Sequence, residues 1–339
     1  MLNHKRRLAA LASAVLVAGL GMTACGDDDA EGSGGGEAGI TMLPKNLGNP
    51  YFDASTAGAE RAAEEFDGSI DEVGPDQATP DSQVSFINTA AQQGVSALVV
   101  SANDPNAICD ALNEARDADV KVVTFDSDTE ADCRDVFVSQ ADAQGIATTQ
   151  VEMMAKQIGG KGEIAILSAA ANATNQNEWI ALMEEELAAN YPDIELVDTV
   201  YGDDDDQKSF DQTAALLSSN PDLKGIISPT TVGIAAAARY LSDSQFKGKV
   251  ALTGLGTPNQ MREYVENGTV TEFALWNPEQ LGYLAAHTAN ALAEGDISGE
   301  EGDTFEAGEL GEYTVGSDGV IVLGDPFVFS ADNIGDFDF

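Results

Sequence analysis

The sequence predicts an α/β fold of two similar lobes, each with a parallel sheet covered by helices, joined by a hinge of several strands. Three observations lead to this prediction. From Gly39 onward, short β-rich runs alternate with longer helical segments, which is the pattern of parallel sheets with crossover helices. The alternation restarts near residue 142, so two sets of strands and helices follow one another. The chain of 339 residues is long enough for two domains of ordinary size.

The first set of elements forms the N-terminal lobe, which is expected to cover residues 39–141 and, after a return of the chain, 277–305. One helical segment is rich in Ala and Glu, and another places Val84, Ile87 and Ala91 on one face. The predicted strands of this lobe are 40–43, 69–73, 97–100, 120–125 and 136–139, and its predicted helices are 53–66, 81–93, 106–117 and 279–294.

The second set forms the C-terminal lobe, which is expected to cover residues 142–276 and 306–339. Its helices end at ordinary stop signals, such as Pro192 after the segment 178–190. The predicted strands of this lobe are 164–167, 194–201, 225–227, 249–253 and 270–275, and its predicted helices are 144–158, 178–190, 209–219, 231–241 and 258–267.

The first 24 residues have the order of a secretory signal. A basic segment precedes an uncharged apolar run, and small residues precede Cys25. The ending Thr-Ala-Cys resembles a lipobox, in which the cysteine is lipidated and becomes the mature N-terminus; a plain signal peptide with an incidental cysteine is the alternative. Residues 25–38 are rich in Gly and Asp and are expected to form a flexible acidic tether. The N-terminus therefore predicts an extracytoplasmic protein held on the outer face of the cell membrane by a lipid.

The charge is strongly one-sided, with 58 Asp and Glu against 16 Lys and Arg and a net charge of −42. Phosphate repulsion disfavours nucleic acid as a partner, and we interpret the excess charge as a source of solubility. His4 and His287, the two histidines, form no ligand cluster with the cysteines, so we expect neither a metal nor a cofactor. The protein is expected to act as a monomer.

Two cysteines remain besides the lipidation candidate. Cys109 lies early in a predicted helix and Cys133 follows the next predicted strand, and these places can be neighbours in a βαβ unit. Disulfides persist in exported proteins, so a disulfide is favoured over two free thiols.

Unusual polar and aromatic residues cluster just after the predicted strands, where open α/β sheets bind their ligands. Sugars need this mixture, because amides, lysine and carboxylates match the hydroxyls and aromatic rings cover the C–H faces. No long helix follows Asp126 directly, which favours ligand contact over helix capping there. The candidate ligand-binding residues in the first half are Lys45, Asn49, Phe52, Ser101, Asn103 and Asp126. Those in the second half and at the return to the first lobe are Asn175, Gln176, Trp179, Pro229, Thr231, Trp276 and Asn277.

These segments resemble the type I periplasmic sugar-binding proteins of the ribose-binding group, from about residue 40 to the C-terminus. Within that group, the rhamnose-binding and autoinducer-2-binding proteins of ABC importers are similar to the chain at 124–129 and at the NQNxW segment 175–179. The cysteine pair resembles that of autoinducer-2 binders, whereas 229–233 and 273–278 resemble rhamnose binders. The resemblance implies two Rossmann-like lobes, a sugar in the cleft between them, and delivery to a membrane permease.

Two positions separate these subfamilies. Autoinducer-2 binders usually have Asp where this chain has Asn175 and Ala where it has Thr231. A site built around specific hydroxyls discriminates strongly against mispaired ligands. We therefore expect rhamnose or a related deoxyhexose, with autoinducer-2 or another sugar as the alternative. The Asp that ribose binders usually have near Gly256 is missing, which argues against ribose.

Other classes of protein fit the sequence less well. An enzyme is not expected, because His4 lies in the signal, His287 lies in a predicted helix, and no GxSxG motif occurs. Transcription regulators that share this fold carry a DNA-binding headpiece where this chain has a signal and a tether. A sugar sensor that presents its ligand to a membrane receptor remains an alternative to the importer.

Overall fold

The computed structural model describes residues 39–339, which form one compact unit. The expected signal (1–24), the tether (25–38) and the lipidation of Cys25 lie outside the described residues. Within the described part, the α-helices are α1 (Pro50–Glu65), α2 (Val84–Gln93), α3 (Cys109–Asp117), α4 (Ala143–Ile158), α5 (Thr174–Asn190), α6 (Asp206–Ser219), α7 (Thr231–Ser242), α8 (Pro258–Glu266) and α9 (Pro278–Glu294). In this range, none of the helices is long and apolar enough to cross a membrane.

The strands alternate with these helices, as the sequence pattern predicts. In the same range, they are β1 (Gly39–Leu43), β2 (Ser69–Glu72), β3 (Ala97–Val100), β4 (Lys121–Phe125), β5 (Val136–Ser139), β6 (Gly162–Ser168), β7 (Ile194–Tyr201), β8 (Gly225–Ser228), β9 (Ala251–Gly254), β10 (Glu272–Leu275), β11 (Thr304–Glu306), β12 (Glu312–Thr314), β13 (Val320–Val322) and β14 (Phe327–Ser330).

The first lobe is built on a six-stranded parallel sheet in the order β13-β5-β4-β3-β1-β2. β3 is buried along its whole length, as expected for a parallel strand covered by helices on both faces. α1 and α9 lie side by side, and glycines allow their close approach. A Cβ at Gly58 would lie 1.8 Å from the carbonyl oxygen of Glu279, and one at Gly282 would lie 1.8 Å from that of Ser55.

The second lobe is built on the parallel sheet β7-β6-β8-β9. A bridge between Leu255 and Ala274 continues this sheet to β10, which pairs with β14 in the antiparallel sense. The two-lobed α/β architecture predicted from the alternating pattern is therefore confirmed. The antiparallel edge strand β14 is an addition that the pattern does not predict.

The third crossing of the chain from one lobe to the other lies later than expected. The sequence places residues 306–339 in the second lobe, but β13 pairs in parallel with β5 of the first sheet, and β11 lies against α9. The chain therefore leaves the first lobe after β13, near residues 323–326. Strands of three residues separated by glycine turns carry too little periodicity to show this pairing in the sequence.

A disulfide joins Cys109, the first residue of α3, to Cys133 in the segment between β4 and β5, with the two Cα atoms 5.2 Å apart. The disulfide favoured by the sequence is confirmed. It fixes the segment that follows β4, and that segment begins with Asp126.

Candidate functional site

The carboxyl ends of the two sheets meet at a cavity between the lobes. The candidate residues that line it are Lys45, Asn49, Phe52, Asp126, Asn175, Gln176, Trp179, Pro229, Thr231 and Trp276. The other lining residues are Tyr51, Asp204, Thr230, Leu255 and Leu275.

Asp126 is the buried carboxylate that the first lobe contributes. Its Oδ1 accepts a hydrogen bond of 2.9 Å from the Tyr51 hydroxyl, and its Oδ2 accepts one of 2.8 Å from Ser101 Oγ. Its backbone is left-handed, with φ of 61°, a conformation that residues other than glycine seldom adopt. Such strain persists where the surroundings enforce it, and it is frequent at ligand sites.

Tyr51 connects Asp126 to the segment that joins the lobes. Trp276 Nε1 donates a hydrogen bond of 2.8 Å to the Tyr51 oxygen, which in turn donates to Asp126. Burial, and secondarily the charge of Asp126, raises the pKa of Tyr51 well above its usual value. The phenol therefore stays protonated and remains a donor to the carboxylate. The sequence candidates include the neighbouring Phe52 but not Tyr51, although the aromatic pair at a helix start is the signal for both.

Hydrogen bonds also run directly between the lobes. Lys45 Nζ donates to Asn175 Oδ1 at 3.1 Å, and Asn175 Nδ2 donates to the backbone oxygen of Asp126 at 3.3 Å. Outside the cavity, Asn172 Nδ2 donates to the backbone oxygen of Asn103 at 2.9 Å. Contacts of this kind hold the two lobes together around the cavity, as in a closed form.

The amides of the second lobe come from the first turn of a helix and not from a loop. α5 begins at Thr174, four residues before the predicted start, and so Asn175 and Gln176 project from its first turn. Asn is disfavoured in helix interiors, which explains why the sequence pattern places the start of α5 too late. The Gln176 side chain is 6% exposed, and its Oε1 has no hydrogen-bond partner within the described part of the protein.

Aromatic rings from both lobes form one wall of the cavity. Trp179 and Trp276 lie with their ring centres 6.0 Å apart, and Tyr51 and Trp276 lie 6.2 Å apart. Phe52 lies edge-on to Tyr51, with 5.1 Å between the ring centres. Together these rings offer C–H and aromatic faces next to the polar groups of Asp126 and Lys45.

Three of the sequence candidates lie behind the cavity or beside it. Ser101 supports Asp126, as described above. Asn103 Nδ2 donates to the backbone oxygen of Lys45 at 2.9 Å, and so supports the loop that carries the lysine. Asn277 Oδ1 accepts from the backbone N–H of Glu279 at 2.9 Å, which caps α9 where the chain returns to the first lobe.

Asp204 is a second carboxylate at the cavity, and the sequence candidates do not include it. It is half-buried, follows β7, and accepts a hydrogen bond from Thr230 Oγ1 at its Oδ1. Burial raises its pKa, while the Thr230 hydroxyl and Lys45 act in the opposite direction. The residue belongs to a run of four aspartates, 203–206, which in the sequence alone indicates only a solvated acidic turn. Among residues 39–339, no group of His, Cys, Asp and Glu side chains is arranged to hold a metal.

Comparisons with known proteins agree with this architecture. The model of the family described as "Periplasmic binding protein domain" matches residues 40–297. A sugar ABC transporter protein from Actinomyces odontolyticus is 56% identical, covers 89% of this chain and 97% of its own, and superposes with a TM-score of 0.72. An ABC transporter solute-binding protein from Clostridium phytofermentas, solved with bound L-rhamnose, is 38% identical, with coverage of 89% and 98% and a TM-score of 0.86.

A third solved structure is LsrB from Clostridium saccharobutylicum in complex with AI-2. It is 29% identical, covers 89% of this chain and 100% of its own, and has a TM-score of 0.83. The resemblance inferred from the sequence segments is therefore confirmed. This chain belongs to the periplasmic binding protein family. Its relatives in that family are sugar-binding transport proteins and not enzymes.

Proposed function

We propose that this chain is the substrate-binding lipoprotein of an ABC importer, which binds a monosaccharide in the cavity between the lobes and delivers it to a membrane permease. The observation that carries the proposal is the buried Gln176 Oε1, which lines the cavity without a hydrogen-bond partner among the described residues. A buried acceptor without a donor is destabilising. A ligand hydroxyl supplies the missing donor, next to a carboxylate and aromatic rings that suit the rest of a sugar.

Rhamnose or a related deoxyhexose is the ligand that we favour. The solute-binding protein that is 38% identical was solved with L-rhamnose. Leu255 and Leu275 line the same cavity as Asp126 and Lys45, and so an apolar contact is available for the methyl group that distinguishes a 6-deoxyhexose.

Autoinducer-2 is the alternative ligand, supported by the complex that is 29% identical. The hydrogen bonds of Asn175 argue against it. This amide accepts from Lys45 with its oxygen and donates to the Asp126 backbone with its nitrogen. An Asp at this position, as autoinducer-2 binders usually have, lacks the donor and adds a negative charge.

Closure of the lobes is the proposed mechanism. Ligand contacts with both lobes exist only in the closed form, so the ligand shifts the population towards it, and the permease recognises that form. The relative from A. odontolyticus has the higher sequence identity but the lower TM-score. A higher identity with a lower TM-score is expected when each lobe keeps its fold but the two lobes differ in relative orientation between the two proteins.

The lipid anchor is part of the proposal. The uncharged run before Cys25 and the ending Thr-Ala-Cys support it, because they have the order of a lipoprotein signal. Metabolic labelling with palmitate is expected to label the exported wild-type chain and not Cys25→Ser. Equal labelling of both chains contradicts the assignment of Cys25.

Small-angle scattering on the chain 26–339 tests closure directly. L-Rhamnose at saturation is expected to lower the radius of gyration, while D-glucose leaves it unchanged. A radius of gyration that does not change with bound ligand contradicts the mechanism.

Uptake of labelled rhamnose separates an importer from a sensor. Deletion of the gene abolishes uptake if the chain serves an importer, and leaves uptake intact if the chain serves a receptor.

A further inference from the structure

We propose that Asp204 determines specificity at the sugar site: its carboxylate accepts a hydrogen bond from a ligand hydroxyl, so that the second lobe selects an uncharged polyol and rejects anionic sugars. The inference rests on the proposed function, because it assigns a role within the same cavity. The proposed contact comes from the loop after β7 and is additional to the contacts expected after the other strands.

The position of Asp204 supports this role. It lines the ligand cavity and also a wider groove that borders Asn46 and Thr79 of the first lobe and Asn172 of the second. The side chain therefore stands at the boundary between the cavity and the opening through which it meets solvent. A ligand group directed towards the opening passes this carboxylate.

The backbone around Asp204 is held in an unusual conformation. Asp203 and Asp204 are both left-handed, with φ of 54° and 49°. Two consecutive non-glycine residues in this region carry a conformational cost that the surroundings must enforce. The turn thereby directs the Asp204 carboxylate towards Thr230 and the cavity, while the Asp203 carboxylate pairs with Lys208 outside the ligand cavity.

Asp204 retains a free acceptor. Thr230 Oγ1 donates to Oδ1, and no donor in residues 39–339 is hydrogen-bonded to Oδ2. Each oxygen of Asp126 already accepts one hydrogen bond, from Tyr51 or Ser101, and keeps one further acceptor site. A ligand hydroxyl near the opening can therefore donate to Oδ2 of Asp204.

The charges around the site exclude acidic ligands. Lys45 Nζ lies 3.9 Å from Asp126 Oδ2 and is already hydrogen-bonded to Asn175. The cavity therefore holds two carboxylates against one ammonium. A carboxylate or phosphate on the sugar meets repulsion from Asp204 and finds no unpaired cation among the lining residues.

This role makes binding depend on pH. Burial, followed by the negative charges of Asp126 and Asp203, raises the pKa of Asp204, and Thr230 and Lys45 only partly compensate. The carboxylate thus takes up a proton at a higher pH than an ordinary Asp does. Since the protonated form is a weaker acceptor, affinity is expected to fall as the pH falls towards the acid range, and to recover as it rises.

Calorimetric titration of the chain 26–339 with L-rhamnose tests the inference. Asp204→Asn keeps the shape, the Thr230 acceptor and the tolerance of a left-handed backbone, but removes the charge. We expect its Kd to rise about tenfold or more, as for loss of a hydrogen bond to a charged group. Asp203→Asn is the matched control, one residue away in the same turn, and should stay within about twofold of wild type. Thermal unfolding of both variants verifies the fold.

The pH series provides a second readout. Wild type should bind L-rhamnose progressively more weakly as the pH is lowered from 7.5 into the acid range, and Asp204→Asn should lose this dependence. Equal affinity of wild type and Asp204→Asn, or an unchanged pH dependence in the variant, overturns the role of Asp204 alone. Absence of L-rhamnose binding by wild type overturns the ligand of the proposed function, and with it this inference.

Discussion

Lys45 of the first lobe donates a hydrogen bond of 3.1 Å to Asn175 of the second, although 130 positions separate them in the sequence. Both side chains are buried and line the same cavity. The pair therefore forms only when the lobes are together, and it couples the closed form to the geometry of the proposed sugar site. Several of the expected effects of substitution depend on this pair.

Removal of the Lys45 charge should weaken binding. Lys45→Met keeps most of the side-chain volume but loses the bond to Asn175 and leaves Asp126 without its nearby cation. We expect the Kd for L-rhamnose to rise at least about tenfold in calorimetry, in line with loss of a charged hydrogen bond. Lys121→Met, at the opposite end of β4 from the site, is the control and should bind as wild type does. An unchanged Kd for Lys45→Met would show that this lysine plays no part.

Asn175→Asp tests the distinction between the two proposed ligands. The substitution removes the amide donor to the Asp126 backbone and adds a carboxylate beside Lys45. L-Rhamnose affinity should fall about tenfold or more. Asn177→Asp, an exposed position on the same helix, should have little effect. If Asn175→Asp binds rhamnose as tightly as wild type, the amide is not part of the discrimination.

Fluorescence offers a direct signal of binding. The chain has two tryptophans, Trp179 and Trp276, and both line the cavity. Ligand should therefore change the emission of the protein, and Trp276→Phe should lose part of that change together with the hydrogen bond to Tyr51. Titration of Trp179→Phe and Trp276→Phe separates the two contributions. If saturating ligand leaves the emission of wild type unaltered, the ligand binds away from these two tryptophans.

The disulfide should contribute to stability. Cys109 and Cys133 close a loop with a sequence separation of 24 residues, and loss of such a crosslink typically costs about 2–4 kcal/mol. The double variant with serine at both positions should unfold at lower urea concentration. Because the loop closed by the disulfide contains Asp126, ligand affinity should also decrease. Identical urea midpoints for the two proteins would contradict this prediction.

Close packing of α1 on α9 should be sensitive to a single methyl group. Gly282→Ala places a Cβ 1.8 Å from the Ser55 carbonyl oxygen, which forces the helices apart. Overpacking of this kind costs about 1–3 kcal/mol or more, measurable by urea unfolding. Gly39→Ala, where a Cβ meets nothing within 4 Å, is the control and should unfold as wild type does. A stable Gly282→Ala would mean that the two helices separate easily.

Much of the fold is predictable because each helix and parallel strand is long enough to show its own period. The strand 136–139 and the helix starting at residue 231 agree with β5 and α7. β13 is not predicted, because its place in the first sheet depends on a long-range pairing with β5 and not on its own three residues. Local pattern carries no information on such a partner.

The site is predictable to the extent that strand ends define it. Asp126 and Lys45 follow β4 and β1 and lie in the cavity as expected. Asp204 is missed because four consecutive aspartates have the composition of a solvent-exposed turn, and only the left-handed backbone and the contact with Thr230 bring one of them to the cavity. Asn277 is misplaced because an Asn before Pro suits a helix cap as well as a ligand contact.

Calorimetric titration of the chain 26–339 with L-rhamnose, and in parallel with autoinducer-2, D-ribose and D-glucose, decides whether the cavity between the lobes is a rhamnose site. We expect tight one-to-one binding of L-rhamnose and weak or undetectable binding of the other three. Tight binding of autoinducer-2 in place of rhamnose would contradict the interpretation of Asn175 and Thr231, and the absence of binding to all four would contradict the assignment of a sugar of this class to the cavity.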